Sequence, residues 1–191
     1  NDARRQRQMC IRDRYNMHKI QIISATNDKN LDLANSIQST LTGVAKDVDK
    51  TTTSIDCPDI ISLESLQLPL FSFGVKANEE VLNGFVKSIL EAKSFIFCAP
   101  EYNGGVPPVL SNALTWISVQ TKDWREAFNN KTALVASHSG GDGFRFLTAF
   151  RIQLEYLGVT VYSRSITVSN SKPYDEDKVK KILANDFVLI K

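Results

Sequence analysis

Apolar runs rich in β-branched residues alternate along the chain with stretches whose apolar residues recur every three to four positions. The runs "KIQIISA" (19–25), "DIISLE" (59–64), "SFIFCA" (94–99), "TALVAS" (132–137) and "VTVYSRSITVS" (159–169) predict five strands. A parallel strand pair needs a crossover that a helix usually supplies, so this alternation predicts successive βαβ units. The helices expected are one from about Asn30, with Leu31, Ala34, Ile37, Leu41 and Val44 on one face, and one from Glu79 to about Lys93. A third follows Pro107 and Pro108, with Val109, Leu110, Ala113, Leu114 and Ile117 turned inward. A fourth spans about Phe144 to Leu157, ended by Gly158 as a left-handed cap, and a closing helix carries Asp and Glu at its positive end. The fold class is therefore α/β, a doubly wound five-stranded parallel sheet with helices on both faces. "SFIFCA", apolar throughout, belongs at its centre.

At 191 residues, 42% hydrophobic and 23% charged, the chain suits one such domain and not two. The formal charge of +2 is uneven, because the first fourteen residues hold five arginines against two aspartates and leave the rest near −1. That balance argues against nucleic acid or a membrane surface as partner. Residues 1–18 are read as a leader, disordered or foreign to the fold, and 19–191 as the domain. With no apolar run long enough for a signal peptide core or a membrane span, the expected location is cytoplasmic. Cys10, Cys57 and Cys98 have no metal-ligand spacing and imply no disulfide framework; none reads as a nucleophile.

Sheets of this type bind ligands beyond the carboxyl ends of their strands. Three loops leave those ends with unusual composition: "SATNDKN" (24–30), "PEYNGG" (100–105) and "SHSGGDG" (137–143). In the first, Ser24 and Thr26 bring hydroxyls to a helix start, where unpartnered N–H groups suit a phosphate; ordinary capping by Asn27, Asp28 or Asn30 explains the same residues. In the second, Gly104 and Gly105 permit close backbone approach, while Tyr102 offers a ring and Asn103 a donor and an acceptor. A packed turn with Glu101 exposed is the plainer alternative. In the third, Ser137, His138, Ser139, Gly140 and Gly141 form a turn rich in hydroxyls and glycine. His138 has no partner carboxylate or nucleophile evident from spacing, which leaves no catalytic residue and no metal site to name. Arg145 behind it suits a phosphate or a salt bridge.

"PEYNGGVPPVLSNALTW" (100–116) and "ASHSGGDGFRFLTAFRIQLEYLGVTV" (136–161) resemble segments of the NADPH-dependent FMN reductase family, flavodoxin-like enzymes that include quinone, azo and chromate reductases. The similarity runs from about Lys19 to Val168. It implies a flavodoxin-like fold, FMN as cofactor, NADPH or NADH as co-substrate, and a small-molecule electron acceptor such as a quinone, free flavin, azo compound or metal oxyanion. It also implies that Ser24, Thr26 and Asn30 hold the FMN phosphate. Pro100, Glu101, Tyr102, Asn103, Gly104 and Gly105, with Ser137, His138, Gly140 and Gly141, would then border the flavin ring. The family's first loop is usually longer, with a glycine after the first serine and an arginine further on, where this chain has Ala25 and no arginine. Members commonly form a homodimer or homotetramer, and Trp116, Trp124 and Phe128 are the aromatic candidates for an interface or for the core. A flavodoxin-type electron carrier and a cofactor-free binding module are the alternatives. The near-neutral body charge disfavours the carrier, and the shortened first loop favours the module.

Overall fold

The computed structural model describes residues 17–47 and 54–187. Six strands form one parallel sheet: β1 (Met17–Ser24), β2 (Ser54–Asp56), β3 (Ile61–Ser62), β4 (Ser94–Cys98), β5 (Thr132–His138) and β6 (Thr160–Val168). Their order is β2-β1-β4-β5-β6, with β3 also paired to β1. β2 and β3 thus share one edge position, and the sheet keeps five places in the order of a flavodoxin. The helices are α1 (Lys29–Asp47), α2 (Glu79–Glu91), α3 (Pro108–Gln120), α4 (Phe144–Tyr156) and α5 (Glu176–Ile182), the last continuing into a π-helical turn, Leu183–Phe187.

Strand alternation divides the core in two. Phe95, Phe97, Ala133 and Val135 face α2, α3 and α4, whereas Ile96, Cys98, Leu134 and Ala136 face α1 and α5. Both faces of the central strands are covered, which is why β4 is buried at all five positions. Burial pushes the Cys98 thiol far above its usual range, so it packs as a small apolar group.

The sequence misplaces the edge. The strand expected over 59–64 shrinks to Ile61–Ser62, and a separate segment at Ser54–Asp56 takes the other half of β1. Pro58 lies between them and has no N–H to give a ladder. The carbonyls there go to side chains instead: Gln38 Nε2 donates to Pro58 O at 3.0 Å and the buried Gln21 Nε2 donates to Asp59 O at 3.0 Å. β1 also begins at Met17, two residues before the expected start, which brings His18 into the sheet. Its Nε2 lies 2.7 Å from Ser94 Oγ, itself 2.6 Å from Thr132 Oγ1. Burial first, then nearby Lys93, holds the imidazole below its ordinary pKa.

Helix ends follow local chemistry. Asn78 caps α2 by accepting from Val81 N at 3.2 Å, and Asp175 caps α5 by accepting from Lys178 N at 3.0 Å. At the far end of α2, Lys131 Nζ donates to Ile89 O at 2.7 Å and Leu90 O at 3.0 Å. Burial pulls this ammonium from the ordinary 10.5 down to about 8. The unfolded chain then binds the extra proton between those two values, so this group's contribution to stability rises as pH climbs from 8 to 10.5. The expected result is that wild type gains thermal stability relative to Lys131→Met across that window; parallel melting temperatures would refute it.

Candidate functional site

The first loop is built from the end of β1. Ser24 is fully buried, and its Oγ donates to Thr26 O at 2.8 Å, bending the chain toward α1. Asn27 N–H donates to Glu64 Oε2 at 2.7 Å, and Asn27 Oδ1 accepts from the hydroxyls of Ser62 and of Ser65. Asn30 turns the other way. Its Nδ2 donates to His138 O at 3.0 Å and its Oδ1 accepts from His138 N at 2.9 Å. Neither amide caps α1; Leu31 N–H and Asp32 N–H donate to Asp28 O at 2.8 and 3.2 Å, and among the described residues no side chain accepts from the N–H groups of Lys29 and Asn30. Thr26 is only 8% exposed, and its hydroxyl has no partner among the described residues.

The second loop is a tight reversal. Asn103 (φ 49°) and Gly104 (φ 73°) both lie in the left-handed region, as the central residues of a type I′ turn must. Gly105 N donates to Tyr102 O at 2.9 Å and closes it. Pro107 and Pro108 then set the start of α3, as their positions predict.

Glu101 faces inward, not into solvent. Its Oε2 accepts from Arg145 N at 2.9 Å and Phe146 N at 3.2 Å, and its Oε1 lies 3.8 Å from Arg145 Nη1. It thereby caps α4 from another loop, because the residue preceding that helix, Gly143, has no side chain to do so. Glu101 N donates to Ser139 Oγ at 2.8 Å, and Ser139 Oγ meets the buried Ser137 Oγ at 2.8 Å. Glu101→Ala is expected to cost about 1–2 kcal/mol of stability. Glu101→Gln, which keeps an acceptor, should cost less; equal melting temperatures for all three proteins would refute the role.

A cleft of about 290 Å³ opens where the three loops meet. Thr26, Asn30, Pro100, Glu101, Tyr102, His138 and Gly140 of the expected set line it. Ser24 and Ser137 lie buried beneath, and Asn103, Gly104, Gly105 and Gly141 stand outside its walls. Asp28, Lys29, Ser139 and Asn170 complete the lining. Asn170 belongs to the turn after β6, at the same carboxyl rim, and was hidden from sequence reasoning because the last strand was read through Ser169. A larger cavity of about 570 Å³ between β6 and α5 shares no wall residue with the cleft. Of the two, the smaller one joins the Lys29 and Asn30 N–H groups at the start of α1 to the unpartnered Thr26 hydroxyl. A phosphate fits that end, and the residues present suit FMN. Among the described residues no group of His, Cys, Asp or Glu suits a metal ion.

The strand order, with a cleft at the carboxyl rim of the strands, defines the fold as flavodoxin-like. The model of the NADPH-dependent FMN reductase family matches residues 19–173, and the chain belongs to that family. It is similar to the NADPH:quinone oxidoreductase of Arabidopsis thaliana, at 34% identity over 99 residues, 50% of this chain and 48% of that one. It is similar also to the NAD(P)H:quinone oxidoreductase of Solanum tuberosum, at 32% over 93 residues, 47% of this chain and 46% of the relative. The chain thus aligns with about half the length of the curated relatives it matches. Among solved structures, an oxidoreductase from Corynebacterium diphtheriae superposes with a TM-score of 0.71 at 14% identity, covering 89% of this chain and 92% of that one. The flavoenzyme FerB of Paracoccus denitrificans does so with 0.65 at 16%, covering 88% and 92%. At these identities the two structures speak for the fold.

Proposed function

We propose that this protein is an NAD(P)H-dependent oxidoreductase that holds FMN in the cleft and passes reducing equivalents to a small acceptor, a quinone first among the expected classes. The observation that carries the reading is the meeting of loops 24–30, 100–105 and 137–143 around one cleft, where the Thr26 hydroxyl has no partner among the described residues. When bound, FMN supplies the hydride chemistry, so the protein needs no nucleophile or acid–base pair of its own. Thr26 and the N–H groups of Lys29 and Asn30 would bind the phosphate. Pro100, Tyr102, His138 and Gly140, which line the cleft, would position the ring and exclude water from part of it. The test is to add FMN to the purified protein, follow quenching of flavin fluorescence, then follow NADH and NADPH oxidation with a quinone present. Saturable binding and acceptor-dependent oxidation are expected; absence of flavin binding overturns the proposal.

The three aromatic candidates divide between core and surface. Trp116 (3% exposed) and Phe128 (0%) are core residues, the Trp116 indole donating to Pro69 O at 2.8 Å. Trp124 remains exposed, its ring 5.4 Å from Tyr156, with the Arg125 guanidinium over both. Phe144, Ile152 and Tyr156 continue this surface as exposed positions along one side of α4. We propose this patch as the contact of a homodimer, or of a homotetramer built from such dimers. Ile152→Glu should then convert a dimeric wild type to monomers in sedimentation; a monomeric wild type would refute it.

A further inference from the structure

We infer that Glu64 and Asp28 act as counter-charges at the phosphate end of the cleft and hold FMN affinity down toward that of riboflavin, so that flavin exchanges instead of staying resident. This rests on the reading that the cleft takes FMN. Three observations carry it. The Asn27 N–H, one of the loop's main-chain donors, is already committed to a carboxylate of the chain itself, Glu64 Oε2 at 2.7 Å. Asp28 lines the cleft at the start of α1, where a phosphate would sit. Lys29 is the one lysine or arginine among the lining residues, and loop 24–30 contains no arginine.

The charges do not balance. Glu101, the other acid on the wall, already faces two N–H groups of α4 and the Arg145 guanidinium. Glu64 and Asp28 are therefore left against Lys29, a net −1 before ligand arrives. A phosphate monoester carries about −1.5 to −2 near neutral pH and enters against that field. The flavin ring and ribityl chain carry no such charge, so riboflavin does not feel it. Asp28 also favours the positive end of α1 in the empty fold, a place that a bound phosphate would compete for.

Flavin affinities measured by fluorescence quenching at low salt test this. Glu64→Gln keeps an oxygen to accept from Asn27 N–H and removes only the charge; Asp28→Asn does the same on the cleft wall. Each is expected to lower the FMN Kd about three- to tenfold, the range for unit charges several ångströms apart at a partly exposed site. The riboflavin Kd should stay within about twofold, and the gain should shrink as added salt shortens the Debye length. Unchanged or weaker FMN binding in both variants overturns the inference. So does an equal shift for FMN and riboflavin, which would mean that the loop had been reshaped. Should Glu64→Gln fail to fold, Asp28→Asn carries the same test. Wild-type protein that binds neither flavin would instead sink the proposed function and leave charge out of the question.

Discussion

Gly143→Ala is expected to destabilise the protein by about 2–4 kcal/mol, the sum of left-handed backbone strain and overpacking for an alanine. The residue sits at φ 63°, and a Cβ placed there would stand 2.7 Å from Ser137 Oγ and 3.1 Å from Ser137 Cβ. Ser137 cannot simply swing aside. It is 1% exposed, and its hydroxyl is paired with Ser139, which in turn holds the N–H of Glu101. The added methyl therefore pushes on a chain of contacts that ends at the cap of α4 and the wall of the cleft. For a domain of this size the loss corresponds to a drop of about 4–15 °C in melting temperature. Flavin uptake should fall with it. The controls are the neighbouring glycines: a Cβ at Gly140 or Gly141 meets nothing within 4 Å, and neither residue has positive φ. Their alanine variants should melt within about 0.5 kcal/mol of wild type. Equal melting of all three variants would refute the argument.

That contrast shows where the sequence stops informing. "SHSGGDG" marks a glycine-rich rim loop, and the rule that ligands collect at strand carboxyl ends finds the loop correctly. Which glycine is obligatory depends on a φ value and on a serine six residues earlier, and neither can be read from composition. Glu101 is a similar case. Its sequence neighbours suggest a polar group near a ligand, but its carboxylate goes to main-chain N–H groups 44 and 45 residues later. Periodicity predicts the strands facing the core well, because burial on both faces forces a continuous apolar run. It fails at the edge, where Gln21 and Gln38 capture carbonyls that a ladder would otherwise take. Trp116 goes to the core because its indole N–H meets Pro69 O, and Phe128 because its ring packs against Phe95, contacts that spacing in the sequence does not reveal.

Asn30→Ala carries the second large effect and separates two roles for one residue. The resemblance implies that Asn30 touches the phosphate, and its place on the cleft wall is compatible with that. The geometry adds a heavier duty: its carboxamide pairs with both the N–H and the C=O of His138, residues 108 apart in sequence, and at 2% exposure it ties the first loop to the third. Alanine would strand two main-chain groups, each costing about 1–3 kcal/mol where water cannot reach it. Since the cleft lies alongside and admits some water, a total of about 2–4 kcal/mol is expected. Asn30→Asp should not rescue, because a carboxylate still accepts from His138 N but confronts His138 O with no donor. The decisive measurement is made without flavin. A residue that only ligated phosphate would leave the melting temperature of the empty protein unchanged when replaced. A residue that joins the loops lowers it and speeds hydrogen exchange at the His138 amide, and flavin affinity falls because the two halves of the cleft are no longer held at one distance.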